Sequence, residues 1–218
     1  MVQSKGWDWE NAEKSFWLKP AEDSFYLANK WREKGYKHIL DIGTGLGRHA
    51  IFFARQGFEV CAMDISEFGI EHLKTWAANE KLNFEAKTGD MLSLPYPDKS
   101  FDCVFACHVI SHTDTNGLHK TVSEIERVLR PNGEVFLTFC SKETPEYLDE
   151  KADRVDENTI LSQDEYELGI PHVHLDLDDI VSLLVKFDIE KVRKIQFCRL
   201  DEDNLKAGHH YYVNAVIK

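Results

Sequence analysis

Apolar residues in this chain fall into two kinds of pattern, short unbroken runs and helically spaced positions, and the two alternate. Ile39, Leu40 and Ile42 make one compact run and Val60 to Met63 a second, each too short for a helix, so both read as buried strands. Carried along the chain, the pattern predicts strands over 37–42, 58–63, 83–88, 101–107 and 134–140, with helices over 46–56, 67–79 and 115–130. In the last helix Leu118, Val122, Ile125 and Leu129 recur at helical spacing, and Pro131-Asn132-Gly133 supplies the turn chemistry that ends it. Strand–helix alternation of this kind predicts an α/β fold: a doubly wound, mainly parallel sheet with helices on both faces.

The flanks behave differently. Residues 7–34 concentrate the aromatics Trp7, Trp9, Phe16, Trp17, Phe25, Tyr26 and Trp31 and predict one or two helices, Pro20 opening the second and Gly35 closing it. Residues 141–171 are polar and acid-rich, with few apolar anchors before Tyr166, Leu168 and Ile170; they read as an excursion, partly helical. Beyond it a helix is expected over Asp176–Lys186 and strands near 189–199 and 210–217, where Tyr211, Val213, Ala215 and Ile217 alternate.

The candidate chemistry lies where the first strand meets the first helix, in Ile39-Leu40-Asp41-Ile42-Gly43-Thr44-Gly45-Leu46-Gly47-Arg48. Glycines remove Cβ atoms where a ligand approaches the backbone, and the helix start points free N–H groups at the turn. The spacing is G-x-G-x-G; a dinucleotide fingerprint would need its third glycine at position 48, which is Arg48. A carboxylate at the strand tip repels a pyrophosphate but suits S-adenosylmethionine, which carries an ammonium and a sulfonium and no phosphate.

With these features the stretch resembles motif I of the class I S-adenosylmethionine-dependent methyltransferases. The similarity continues through Val60-Cys61-Ala62-Met63-Asp64, Thr88-Gly89-Asp90-Met91, the segment Leu94 to Asp102, and Glu126 to Glu134, in the family's order over roughly residues 37 to 140. The resemblance implies a seven-stranded Rossmann-like sheet ending in an antiparallel hairpin. It implies that Asp41, Gly43, Thr44, Gly45 and Gly47 line the methionine end of S-adenosylmethionine. Asp64 would hold the ribose hydroxyls, Gly89 and Asp90 would lie by the adenine, and Ile65, Met91 and Leu92 would wall it. Arg48 would either pair with a carboxylate of the cofactor or substrate or sit on the helix face, and Cys107 would border the donor. On this reading the chain is one domain, 1–218: a helical cap (1–35), a cofactor-binding core (36–140), an excursion over the active-site edge (141–175) and a terminal helix and strands (176–218). The order of elements is similar to that of compact bacterial enzymes of the ubiquinone-biosynthesis and tellurite-detoxification types.

The end of the fourth strand, Phe105 to His112, carries neither the Asn/Asp-Pro-Pro-Tyr motif of amino methylases nor a Pro-Cys nucleophile. It offers His112 and His108, either of which could take a proton from an acceptor or position it, or simply pack or cap the next helix. The pairs His172-x-His174 and His209-His210 could join them as metal ligands, but such pairs more commonly form a substrate rim, and no metal ligand set is assigned. Trp7, Trp9, Phe16 and Trp17 could form an aromatic lid, although packing of an amphipathic helix explains them as simply.

The 218 residues suit one domain with a sizeable core, and a formal charge of −12 argues against nucleic acid as a partner. Five cysteines without C-x-x-C spacing read as reduced core thiols. No long apolar stretch suggests a membrane span, and the amino-terminal residues lack a signal-peptide core, which gives a cytoplasmic expectation. The expected activity is methyl transfer from S-adenosylmethionine to a small-molecule acceptor, the acceptor atom and oligomeric state being unread. The alternatives are a non-catalytic S-adenosylmethionine sensor or scaffold and an NAD-dependent reductase, the latter opposed by the glycine spacing.

Overall fold

The structure, a computed structural model, describes residues 6–9, 17–164, 167–201 and 204–218. Its helices are α1 (Glu22–Glu33), α2 (Arg48–Arg55), α3 (Glu67–Asn79), α4 (Thr115–Val128), α5 (Pro145–Leu148) and α6 (Leu177–Leu183). Its strands are β1 (His38–Ile42), β2 (Glu59–Asp64), β3 (Glu85–Thr88), β4 (Phe101–Ala106), β5 (Leu129–Ser141), β6 (Thr159–Leu161), β7 (Pro171–Leu175), β8 (Phe187–Asp201) and β9 (Asn204–Ile217). Strands β3, β2, β1, β4 and β5 are neighbours in that order and pair in parallel, then β9 joins β5 and β8 joins β9 antiparallel. These seven strands form the expected mainly parallel arrangement with its closing hairpin, but the sheet is larger than expected, since β7 and β6 extend it beyond β5 to nine strands. The apolar runs end up central because a parallel strand is covered on both faces and cannot spare a polar side.

The two faces carry separate cores. Leu40 and Ile42 of β1 pack with Val122, Ile125 and Ile180 on one side. Ile39 packs with Leu27, Trp31, Ile51 and Phe53 on the other, as period-two alternation requires. Helix α1 is pinned to the sheet through buried Glu134 at the start of the inner part of β5. The Trp31 indole donates to its Oε2 (2.9 Å), and Lys30 and Lys34 pair with the same carboxylate. Burial raises the Glu134 carboxyl, but these donors outweigh it and hold it below its ordinary value.

Several boundaries differ from expectation. Helix α4 stops at Val128 because Leu129, though at helical spacing, pairs with Phe101 as the first residue of β5. Leu129 is therefore buried by a strand rather than a helix, and Pro131-Asn132-Gly133 lies inside β5. Pro20 precedes the cap residue of α1 instead of opening its first turn. The helix expected to reach Lys186 ends at Leu183, and Phe187 already belongs to β8. The excursion is less helical than expected: it holds one short helix, α5, and the antiparallel pair β6–β7, whose only pairing with the main sheet joins β7 to Cys140 and Ser141. Tyr166 and Phe16 lie outside the described residues, as does the first expected amino-terminal helix apart from Trp7, Trp9 and its end at Trp17. Among the described residues no helix is long and apolar enough to cross a membrane.

Candidate active site

The turn after β1 is held open by backbone conformations that only glycine adopts at low cost. Gly43 and Gly45 have φ of 66° and 56°, and Gly47, at 98°, is the cap residue of α2. The space their missing Cβ atoms leave is used from above by the protein itself. A Cβ on Gly43 would collide with Val109, and one on Gly45 would lie 2.6 Å from Trp9 Cζ2. The Thr44 N–H donates to the Met63 carbonyl (3.0 Å), tying the turn to β2.

Two buried carboxylates flank the turn. Asp41 is 1% exposed; the Thr44 hydroxyl donates to its Oδ2 (2.6 Å), and burial outweighs that donor and the nearby Arg48, pushing Asp41 up to about 7. Asp64, at the end of β2, accepts the Gly45 N–H at Oδ2 (2.7 Å) and the Ser66 N–H at Oδ1 (2.8 Å), while burial raises it. Each Asp64 oxygen keeps a second lone pair, so the carboxylate can accept two more hydrogen bonds, as a ribose diol demands. Ser66 caps α3 by accepting the Gly69 N–H (3.2 Å), which frees Asp64 from that duty.

Beyond β3, the Gly89 N–H donates to the Asp64 carbonyl (2.9 Å), bringing Gly89 beside the end of β2, and the Leu92 N–H donates to Asp90 Oδ1 (2.9 Å). Ile65 is 37% exposed on the rim under Gly6, whereas Met91 is buried in the core behind it. Arg48 points toward the amino-terminal segment: its guanidinium sits 4.9 Å over the Trp17 ring and donates to the Lys19 carbonyl (3.2 Å). Cys107 is buried, its thiol pushed up to about 12 by burial, so it is a neutral wall.

The segment after β4 carries the turn from the donor side to a cluster of imidazoles. His108 adopts φ of 55°, donates its N–H to Thr138 Oγ1 (2.6 Å), and sets Nε2 3.0 Å from the Tyr212 hydroxyl with the His210 ring at 4.8 Å. Burial holds it well below the ordinary histidine value. The His112 N–H donates to the Val109 carbonyl (2.9 Å), and its ring stacks on His172 with centroids 4.7 Å apart and planes at 8°. Burial, with a smaller push from His210, lowers His112 to about 4, so it is a neutral, weak base. The expected alternative of a helix cap does not apply, because Asp114 caps α4 by accepting the Gly117 N–H (2.7 Å).

The histidine pairs are not brought together as pairs. The His174 ring stacks on Tyr147 and its Nδ1 lies 2.9 Å from the His172 carbonyl, 6.4 Å between the two imidazoles. His210 faces Cys140 Sγ (3.7 Å) and His108, while the His209 carbonyl accepts from Thr144. The residue missed in the sequence is Glu167. Its carboxylate lies 3.8 Å from His112 Nε2 and 3.6 Å from His172 Nε2, and it accepts the Trp7 indole N–H (2.5 Å). Nothing distinguished it among the acids of its segment; only the path of the loop before β7 does so. Trp7, Trp9 and Trp17 pack edge to face or tilted with centroids 4.7 to 5.7 Å apart, so these aromatics form a lid-like cluster over Gly45.

Comparison with known proteins places this sequence and fold among methyltransferases. Residues 39–133 match a family described as "Methyltransferase domain". A sterol 24-C-methyltransferase of Gibberella zeae is 32% identical over 158 residues, covering 71% of this chain and 38% of that protein. The 27-O-demethylrifamycin SV methyltransferase of Amycolatopsis mediterranei is 32% identical over 149 residues, covering 63% of this chain and 53% of that protein. The chain thus spans about a third to a half of the length of these curated relatives. Among solved structures, a SAM-dependent methyltransferase from Methanosarcina mazei superposes with a TM-score of 0.74 at 23% identity, over 92% of this chain and 99% of that one. The Burkholderia thailandensis 1,6-didemethyltoxoflavin-N1-methyltransferase, solved with 1,6-didemethyltoxoflavin and S-adenosylhomocysteine, gives 0.65 at 17% identity, over 94% of this chain and 82% of that one.

Proposed function

We propose that this chain is a class I S-adenosylmethionine-dependent methyltransferase and transfers a methyl group from S-adenosylmethionine to a small-molecule acceptor. The observation that carries the reading is the left-handed glycine turn after β1, flanked by the buried carboxylates of Asp41 and Asp64. That donor set fits a cation bearing a ribose and opposes a pyrophosphate, so the residues present fit the cofactor. Bound there, S-adenosylmethionine supplies an activated methyl group on a sulfonium.

The chain's own residues then bind, orient and exclude water. Asp64, oriented by the Gly45 N–H, would accept the ribose hydroxyls, and Asp41, its Oδ2 held by the Thr44 hydroxyl, would attract the methionine ammonium. Gly89, Asp90 and the exposed Ile65 would border the adenine, with Met91 packed in the core behind them, and Gly47 starts the helix whose N–H groups face the turn. Arg48 orders the Trp17 segment over the site, and Trp9, Val109 and Cys107 close it against water. Aligning acceptor, methyl and sulfur in line can contribute about 7–11 kcal/mol through effective molarity, so no strong base is needed. That matches the neutral, weakly basic state of His112 and His108, which position the acceptor rather than drive its deprotonation.

In domain terms the core 36–140 holds the donor while residues 1–35 and 141–175 cover the acceptor edge of a single unit. The net charge of −12 supports a small acceptor over nucleic acid, and the unpaired Cys61, Cys103, Cys107 and Cys140 among the described residues support a reducing, cytoplasmic setting. The test is calorimetric titration with S-adenosylmethionine, S-adenosylhomocysteine and NAD, followed by a screen of small acceptors with labelled methyl donor. Binding of both adenosyl ligands and not NAD is expected; binding of NAD alone overturns the reading.

A further inference from the structure

We propose that His112, His172 and Glu167 form a binding site for a divalent transition-metal ion of the zinc type, with an open coordination position facing the acceptor. The metal site stands on its own geometry; only its service to an acceptor oxygen rests on the methyl-transfer reading above.

Three separate segments bring these side chains together: the turn after β4, the loop before β7, and β7 itself. One potential ligand atom from each lies within 4.8 Å of the other two. The two carboxylate oxygens of Glu167 face different rings, Oε1 toward His112 Nε2 at 3.8 Å and Oε2 toward His172 Nε2 at 3.6 Å, both beyond hydrogen-bond distance. His172 Nε2 is buried and meets no hydrogen-bond partner, a ring nitrogen aimed at a carboxylate with nothing between them. The parallel stack of His112 on His172 turns both Nε2 atoms toward the same carboxylate. Behind the cluster, the Trp7 indole donates to Glu167 Oε1 (2.5 Å) and orients it, as an outer-shell partner orients a ligating carboxylate.

Ligands about 2.1 Å from a metal at right to tetrahedral angles stand about 3.0–3.4 Å apart, so side-chain rotations that shorten the present separations by about 0.5–1.5 Å close the site. Two imidazoles and one carboxylate suit zinc, cobalt or iron(II), whereas calcium and magnesium take oxygen ligands. Three protein ligands leave a position free, the arrangement of metal sites that bind a further oxygen. The ligand atoms that converge within 4.8 Å of one another are those of His112, Glu167 and His172, and His174 is not among them.

Cobalt(II), titrated into the full chain, is the direct probe. Binding is followed by its visible ligand-field bands and by quenching of tryptophan fluorescence, to which Trp7 contributes through Glu167. One cobalt per chain, displaced by zinc(II), is expected. Affinity should fall at least tenfold in His172→Phe, which keeps an aromatic ring against His112, and in Glu167→Gln, which keeps an acceptor for Trp7. The exposed-site variant His119→Ala should bind as the native chain does. S-adenosylmethionine titration of the same variants reports the donor site separately, so loss of cobalt with donor binding retained supports the metal site alone. Should His172→Phe misfold, Glu167→Gln decides. Native-like cobalt affinity in Glu167→Gln, loss of binding only in His119→Ala, or no binding to the native chain below millimolar cobalt overturns the proposal.

Discussion

The two sides of the candidate active site are built on opposite plans. On the donor side the contacts are short-range: Asp41 and Thr44 are three residues apart and Gly45 and Asp64 nineteen, and every group from Asp41 to Met91 sits at or just past the end of one of three adjacent strands. On the acceptor side they are long-range: Trp7 reaches Glu167 across 160 residues and His108 reaches Tyr212 across 104. Parallel pairing of β1, β2 and β3 places the ends of successive strands side by side, so a donor site follows from local sequence. The acceptor side has no such rule; it depends on where the amino-terminal segment, the β6–β7 pair and the terminal hairpin come to rest. The difference teaches that a common donor can be held by a fixed local design while the acceptor is chosen by parts that vary freely around it.

The largest effect expected is on the donor side. Gly43→Ala puts a side chain at φ of 66° and drives it into Val109, and the two penalties together should cost about 2–5 kcal/mol. Denaturant unfolding and S-adenosylmethionine titration should both register the change. If the variant keeps native stability and binding, the turn is not the rigid half of the site.

A smaller effect is expected across the comparison. Tyr212→Phe removes the partner of the buried His108 Nε2 and should cost about 1–3 kcal/mol of stability while leaving S-adenosylmethionine affinity within twofold. A large loss of cofactor affinity would show that the two sides are coupled rather than separately built.

The smallest effect separates stability from binding at one residue. Burial raises Asp41 to about 7, so the folded chain holds that proton more tightly than the unfolded one. Its contribution to stability is therefore greatest at acid pH and is lost as pH rises toward 7, and Asp41→Asn should gain melting temperature relative to the native chain between pH 5 and 8. Cofactor binding runs the other way, since only the ionised carboxylate attracts the ammonium. Native affinity should rise with pH up to about 7 and then level, and Asp41→Asn should lose about tenfold, some 1.4 kcal/mol, together with that pH dependence.

Much of the fold was legible along the chain because its strands are buried on both faces and its helices have one apolar face. Errors arose where an element's apolar residue was buried by something other than its own period implied, as Leu129 was by a strand. The short strands β6 and β7 stayed hidden because three to five residues in an acid-rich stretch carry too little pattern to register. In the candidate site, Asp41, Gly43 and Gly45 stood out by the spacing of the turn, and Asp64 through the family resemblance. His112 and His172 were noticed as histidines, yet their pairing with each other through Glu167 was not, and the Trp7–Trp9–Trp17 cluster was weighed as helix packing where it covers the glycine turn.

By itself the sequence determined the alternation of strands and helices and the glycine turn after β1, because a polypeptide's periodicity and its glycine positions act within a few residues of where they are written. Only the tertiary structure decided the acceptor side: which imidazoles face each other, that Glu167 lies between two of them, and that Trp9 covers Gly45. Those contacts join segments far apart in the chain, and their formation depends on how whole elements pack, a quantity that no local run of residues contains.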